Sequence, residues 1–63
     1  MLIDTVKKLI HSNLSASEIG KNAHVDPANI RKIRRGERTI EKLSFDTAEK
    51  LYNYQKQLES KEN

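Results

Sequence analysis

Apolar residues recur three and four positions apart along most of the chain, which is the spacing of one face of an α-helix. No stretch alternates apolar and polar residues as a half-buried strand would. The first helix is predicted over residues 2–12. The last is predicted to begin at Ser44 and to end near residue 58, with a frayed tail at 58–63. The apolar face of the first helix consists of Leu2, Ile3, Val6, Leu9 and Ile10. The corresponding face of the last helix consists of Phe45, Ala48, Leu51, Tyr52 and Gln55, and the flank beside it holds Tyr54 and Leu58.

Two shorter helices are predicted between these two. Ser15 or Ser17 can cap the first of them, and Ser15 is followed three residues later by Glu18, which is a capping-box pattern. Gly20 lies in the middle of this helix, where glycine costs about 1 kcal/mol relative to alanine. We therefore expect another helix to cross closely at Gly20.

The next helix has signals at both of its ends. Asp26 is a favourable N-cap, and Pro27 stands at the first helical position, which proline prefers. The helix is predicted to run to Arg35 and to stop at Gly36, because glycine suits the left-handed conformation that follows many helices. Together these segments predict one all-α domain of four or five helices over residues 1–63.

Projection at about 100° per residue gives the helix at 27–35 two different faces. Ile30 and Ile33 define the buried face, while Asn29 and Arg34 lie on the flanks. One interpretation is an ordinary solvated surface helix. Such helices usually mix acidic and basic side chains, which pair at a spacing of four residues, whereas this helix has no acidic residue after its cap. The outward face holds one small residue and then three cations, namely Ala28, Arg31, Lys32 and Arg35.

The charge of the chain is concentrated in its middle third. The net charge of the 63 residues is +3, yet residues 21–42 hold seven Lys and Arg against three acidic residues, or +4. A local basic patch on a nearly neutral protein indicates a directed contact with an anion. Because Ala28 and Asn29 are small, the start of the helix is slim enough to enter the DNA major groove, which is about 12 Å wide.

Several classes of function are not expected from the composition. The chain has no cysteine, so it can form neither disulfides nor thiolate metal sites. His11 and His24 are the only histidines, and their spacing matches no metal site. No nucleophile–base grouping or glycine-rich phosphate loop is present, so we expect no enzyme, no cofactor and no small-molecule substrate. No apolar run is long enough for a membrane span or a secretory signal, so no membrane partner is expected.

The segment LSASEIGKNAHVDPANIRKIRRGER, residues 14–38, resembles the Cro/repressor-type helix-turn-helix of the lambda-repressor-like family of bacterial and phage regulators. The segment LSFDTAEKL at 43–51 is similar to the start of the fourth helix in that family, so the resemblance covers about residues 14–58. It implies a compact lambda-repressor-like domain with a helix-turn-helix. The matching positions in the helix-turn-helix are Ile19, Gly20, Ala23, His24, Val25, Ile30, Ile33 and Gly36.

Two positions depart from the family pattern. His24 stands where the turn usually has glycine in a left-handed conformation, which histidine adopts more often than most residues. Arg34 stands where the family often has glutamate. Its side chain is expected either to reach a phosphate or to fold back toward Glu18 or Glu41, and the sequence leaves both open.

By position, the resemblance implies that base edges are read by Ala28, Asn29, Arg31 and Lys32. Arg31 or Lys32 can donate to guanine, Asn29 can pair with adenine or contact a phosphate, and the methyl group of Ala28 can meet that of thymine. Simple helix capping is an equally good reading of the serines in the second helix. The implied phosphate contacts are Ser15, Ala16, Ser17, Arg35, Arg38 and Lys42.

The function expected from these features is sequence-specific binding of double-stranded DNA by a small transcriptional regulator that occupies an operator. The resemblance implies a cytoplasmic protein encoded by a bacterium, phage or plasmid. A homodimer is expected at least on DNA, through Leu51, Tyr54 and Leu58, unless these residues complete the core of the monomer. The alternative is a protein-interaction module of the same fold, antitoxin-like or regulator-binding, with secondary DNA contact. RNA binding is disfavoured by the few aromatic residues.

Overall fold

The computed structural model describes residues 2–61, which form four α-helices and one turn of 3-10 helix, with no strand among them. The all-α class predicted from the sequence is confirmed for this part of the chain. The Cα radius of gyration is 10.6 Å, as expected for a folded chain of this length. The elements are α1 (Leu2–Ile10), α2 (Ala16–Ala23), α3 (Pro27–Arg34), the 3-10 turn (Ile40–Lys42) and α4 (Phe45–Lys61).

The core lies where α1 packs along α4 and where α2 packs on α3, with α2 also touching α4. Each of the four helices contributes at least one fully buried aliphatic side chain, so no helix can leave the bundle without exposing apolar surface to water. Ile30 is the fully buried residue of α3, and it belongs to the same core cluster as the buried residues of the other three helices. The fully buried side chains are Val6, Leu9, Ile10, Ile19, Ile30 and Leu51.

The two outer helices end at positions that differ from the prediction. α1 stops at Ile10 rather than at residue 12. The Ser12 hydroxyl donates a hydrogen bond of 2.6 Å to the carbonyl oxygen of Leu9, which closes the helix early. α4 continues to Lys61, three residues past the predicted end, so residues 59–61 of the predicted frayed tail are helical. Residues 62–63 of that tail lie outside the described part of the chain.

Glu59 supports the extra turn of α4. Its carboxylate accepts hydrogen bonds from Gln55 Nε2 at 3.1 Å and Lys56 Nζ at 3.3 Å, one turn earlier on the same helix. These two hydrogen bonds, with the charges of Lys56 and Lys8, lower the pKa of the Glu59 carboxyl group. The 3.7 Å contact between Glu59 and Lys8 Nζ also joins the end of α4 to α1.

The predicted apolar face of α4 is wrong at Phe45, which is 72% exposed. At 100° per residue, Phe45 lies about 120° from Leu51 and about 80° from Gln55 around the helix. Leu51 and Gln55 are the buried residues of α4. Phe45 therefore lies at the edge of the buried stripe, in the first turn of the helix.

The predicted dimer patch is wrong at Leu51. Its side chain is fully buried in the monomer core and cannot touch a second chain. Tyr54 and Leu58 are half-buried and pack against the core, and the Tyr54 hydroxyl accepts a 3.2 Å hydrogen bond from Asn22 Nδ2 of α2. For Leu51, the alternative reading, completion of the monomer core, is the correct one.

Candidate nucleic-acid interface

Ser15 caps the start of α2. Its backbone is extended (φ −71°, ψ 154°), and its hydroxyl accepts a hydrogen bond of 3.0 Å from the backbone N–H of Glu18. This resolves the choice between Ser15 and Ser17 in favour of Ser15. Ala16 is buried, so its side chain is removed from the surface and only its backbone N–H could contact an anion. The side chain of Ser17 is exposed.

The connection between α2 and α3 is tight and depends on two unusual positions. His24 adopts the left-handed conformation (φ 62°, ψ 42°) that the sequence predicts there, and its N–H caps α2 on the carbonyl oxygen of Gly20. A Cβ atom on Gly20 would lie 2.7 Å from Pro27 Cγ and 2.8 Å from the carbonyl oxygen of Val25. The expected close crossing at Gly20 is therefore confirmed, and the element that approaches is the first turn of α3.

α3 begins and ends as its flanking residues predict. Asp26 Oδ1 accepts a 2.9 Å hydrogen bond from the N–H of Ala28, and Pro27 opens the helix. Gly36 has a φ of 79°, its N–H donates to Ile33, and the next N–H donates to Lys32. This pair of bonds is the Schellman motif. α3 ends at Arg34, one residue before the predicted end.

The two faces of α3 are those that the helical projection predicts. Ile30 is fully buried and Ile33 is half-buried against the core. Ala28 and Asn29, which form the first turn of the outward side, are half-buried. The cations that follow, Arg31, Lys32 and Arg35, are exposed.

Arg31 is joined to α2 by a hydrogen bond between side chains. Its Nη2 donates to Ser17 Oγ at 3.0 Å, and both residues are exposed. A residue predicted to read bases is thus bonded to one predicted to contact a phosphate. A serine hydroxyl can accept from Arg31 and still donate its own proton, so Ser17 keeps a donor for a further partner.

Asn29 is held by a residue beyond the end of α3. Arg38 Nη1 donates to Asn29 Oδ1 at 3.2 Å. Because a guanidinium group has no acceptor, the atom of Asn29 that faces it is the oxygen, and the two N–H donors of the amide are turned elsewhere. Sequence reasoning missed this contact, since nothing in residues 29 and 38 taken separately indicates that the loop returns to the helix start.

The remaining cations of this surface differ in whether another side chain of the protein already pairs with them. Arg35 Nε lies 2.6 Å from Glu37 Oε2, but both side chains are more than half exposed, so the pair contributes little to stability. Lys32 and Lys42 are exposed, and their side-chain ammonium groups have no hydrogen-bond or ion-pair partner within residues 2–61. They are the two cations of this surface that are free for an external anion.

Arg34 faces away from this surface. Its Nε donates to the carbonyl oxygen of Ile10 at 2.8 Å, and its Nη2 donates to those of Leu14 at 2.8 Å and Ser12 at 3.4 Å. The predicted return toward Glu18 or Glu41 is wrong in this structure, since the guanidinium group donates to these backbone carbonyl groups instead. The other alternative, a phosphate contact, stays a prediction. The carbonyl groups at the end of a helix lack partners and carry the negative end of its dipole, so a guanidinium group stabilises them.

Within residues 2–61, no three metal-binding side chains come together. None of the described helices is long and apolar enough to cross a membrane. Comparison with protein-family models and with curated proteins finds no match to this chain.

Proposed function

We propose that this chain binds double-stranded DNA sequence-specifically, as a small transcriptional regulator with α3 in the major groove of its operator. The observation that carries the proposal is the outward surface of α3 and the loop after it. Five cations are exposed there against two exposed acids, Glu37 and Glu41, while Ile30 beneath them is fully buried. These cations are Arg31, Lys32, Arg35, Arg38 and Lys42.

The shape of α3 supports insertion into a groove. Its outward side begins with Ala28 and Asn29, which are small and half-buried, so the leading turn adds little width to the helix. The longer side chains of Arg31 and Lys32 follow one turn later, where they can extend to base edges. The resemblance of residues 14–38 to the Cro/repressor-type helix-turn-helix points in the same direction, with α2 and α3 as its two helices.

In this proposal the DNA backbone is held on both sides of α3. Lys42, Arg35 and Arg38 lie beyond its end, and Ser17 with the first N–H groups of α2 lies beside its start. Contacts of this kind position a protein on the duplex without reading its sequence. Occupancy of the operator is the mechanism, because a bound domain blocks or recruits polymerase at that place.

One such domain reads only a few base pairs, so useful affinity requires two copies on a two-fold site. We propose a homodimer on DNA. Of the three side chains predicted for its contact, Tyr54 and Leu58 retain exposed surface and Leu51 does not.

Selection of bound sequences from random duplex DNA at physiological salt tests the proposal. The expected result is an enriched two-fold sequence whose affinity falls steeply with salt, with a log–log slope of about −0.9 per neutralised phosphate. Lys32→Ala should weaken binding, whereas Lys56→Ala, which removes a cation from α4, should not. Failure to enrich any duplex, or equal losses in the two variants, would overturn the proposal.

A protein-interaction module is the second candidate, and Phe45 favours it. This exposed side chain borders a cleft of about 220 Å³ between α1, the 3-10 turn and α4, with Leu2, Ile3 and Leu43 among the lining residues. Exposed aromatic side chains are enriched at protein interfaces. The same duplex selection separates the two candidates, because a module that only binds proteins yields no enriched sequence.

A further inference from the structure

We propose that the reading surface of α3 recognises hydrogen-bond acceptors, so that Asn29, Arg31 and Lys32 each contact guanine and the half-site has a G·C pair at each of the three positions they read. This inference rests on the proposed function and names the class of operator half-site. It follows from the inventory of donors and acceptors on Ala28, Asn29, Arg31 and Lys32.

Three of these four side chains offer no acceptor. Arg31 and Lys32 only donate, and Ala28 has only a methyl group. In the major groove, guanine presents two acceptors and thymine presents one acceptor and a methyl group, whereas adenine and cytosine also present an amine that needs an acceptor. Asn29 Oδ1 is therefore the single side-chain acceptor that could discriminate in favour of adenine or cytosine.

That acceptor is already in use. Arg38 Nη1 donates to Asn29 Oδ1 at 3.2 Å, which fixes the amide with its oxygen toward the loop. An adenine amine that approached the same oxygen would carry its positive hydrogen next to a full positive charge. The amide nitrogen of Asn29 remains free to donate, so the favoured contact is with guanine, which presents two acceptors and no amine. In this proposal Asn29 therefore contacts guanine instead of the adenine expected from the sequence.

Arg31 is also arranged as a donor. Ser17 Oγ accepts one of its N–H groups at 3.0 Å, and no carboxylate within residues 2–61 lies within ion-pair distance of it. Its other N–H groups are left for a base. The hydroxyl group of Ser17 holds the guanidinium from the side of α2, which reduces the rotamer freedom that Arg31 would lose on binding.

Parallel duplex selections at one salt concentration test the inference. The position read by each residue is identified as the one whose preference relaxes in Asn29→Ala, Arg31→Ala or Lys32→Ala. For the wild type we expect a G·C pair at each of these positions, in either orientation. Arg38→Ala frees the Asn29 carbonyl group to accept from an adenine amine, so the frequency of A·T pairs at the Asn29 position should rise about five-fold or more relative to wild type.

Lys56→Ala is the charge-matched control and should leave the preferred sequence unchanged, since it lies on α4, which packs mainly on α1 and α2. Asn29→Ser replaces Asn29→Ala if the alanine variant is unfolded by circular dichroism. An A·T pair at the Asn29 position of the wild type, or an Arg38→Ala preference identical to that of the wild type, would overturn the inference while leaving DNA binding intact. A wild type that enriches no duplex overturns the parent proposal, and this inference with it.

Discussion

Arg34 Nε donates to the carbonyl oxygen of Ile10 across 2.8 Å, which joins the last residue of α3 to the last residue of α1. Two further hydrogen bonds from the same guanidinium group reach Ser12 and Leu14 in the connection to α2. Arg34 therefore satisfies a backbone acceptor, the Ile10 carbonyl group, that α1 leaves without a helical partner. It also fixes the end of α3 against α1 and against the connection between α1 and α2.

Removal of this guanidinium group should destabilise the fold. Arg34→Ala is expected to lower the free energy of unfolding by about 1–2 kcal/mol, because charged donors to three carbonyl groups are lost. Arg34→Lys should recover only part of the loss, since an ammonium group lacks the planar fork of donors. Urea unfolding followed by circular dichroism measures both. Arg35→Ala is the control, and its exposed pair with Glu37 should be worth less than about 0.5 kcal/mol. Equal losses at the two arginines would contradict the assigned role.

Gly20→Ala should be unfavourable although alanine is the better helix former. The gain of about 1 kcal/mol in helix propensity is outweighed by a Cβ atom 2.8 Å from the Val25 carbonyl oxygen, a backbone atom that cannot move cheaply. Overpacking of this kind costs about 1–3 kcal/mol.

Gly36 allows the effect of backbone conformation to be compared with that of crowding at Gly20. A Cβ atom on Gly36 would have nothing within 4 Å, but the φ of this residue is +79°. Gly36→Ala should cost about 1 kcal/mol from conformation alone, and Gly36→Asn should cost less because asparagine tolerates that region. Thermal unfolding of the four proteins gives the order. If Gly20→Ala stabilised the domain, the close approach of α2 and Pro27 would be wrong.

The two isoleucines of α3 should differ in their contribution to stability. Ile30 is fully buried, so Ile30→Ala is expected to cost about 2–5 kcal/mol. Ile33 is only half-buried, so Ile33→Ala should cost about 1–2 kcal/mol, in proportion to the smaller apolar area removed from water. Chemical denaturation of both variants checks the order, and a larger loss at Ile33 would mean that α3 is rotated from the orientation described.

Substitutions should affect DNA binding differently at residues that read bases and at residues that contact the DNA backbone. Arg31→Ala and Lys32→Ala are each expected to weaken specific binding by about 1–3 kcal/mol and to relax preference at one base pair. Lys42→Ala should weaken binding to all duplexes alike and make the salt slope shallower by about 0.9. Fluorescence anisotropy on specific and scrambled duplexes, at several salt concentrations, measures both effects. A loss at Lys42 that depended on sequence would contradict its assignment to the backbone.

Acid should weaken the junction of α4 with α1. Hydrogen bonds from Gln55 and Lys56 lower the pKa of the Glu59 carboxyl group in the folded protein. The stabilising contribution of the Glu59 carboxylate is therefore complete above the pKa that this carboxyl group has in the unfolded chain. The contribution is lost as pH falls through the lower pKa of the same group in the folded protein. The difference in melting temperature between wild type and Glu59→Gln should be constant near neutral pH and shrink in acid. Glu49→Gln, an exposed change on the same helix, should follow the wild type throughout.

Local sequence signals were sufficient for the features that depend on residues within one helical turn. Asp26 as a cap, Gly36 after α3 and the left-handed His24 are all found where the sequence predicts them. Each is determined by the conformational preference of a single residue and by a hydrogen bond to a near neighbour in the chain. The buried position of Ile30 was equally predictable, because helical periodicity and the hydrophobic effect require no knowledge of the partner helix.

The contacts between elements could not be predicted in this way. Arg34 bonds to backbone carbonyl groups twenty or more residues away, and since every residue carries such a group, the sequence marks none of them as the partner. Asn29 and Arg38 meet because the loop after α3 turns back on the helix start. Leu51 and Phe45 lie in the same predicted stripe of α4, yet Leu51 is fully buried and Phe45 is 72% exposed. Distances between elements depend on how all the helices pack together, and that packing arises from the whole chain rather than from any one segment of it.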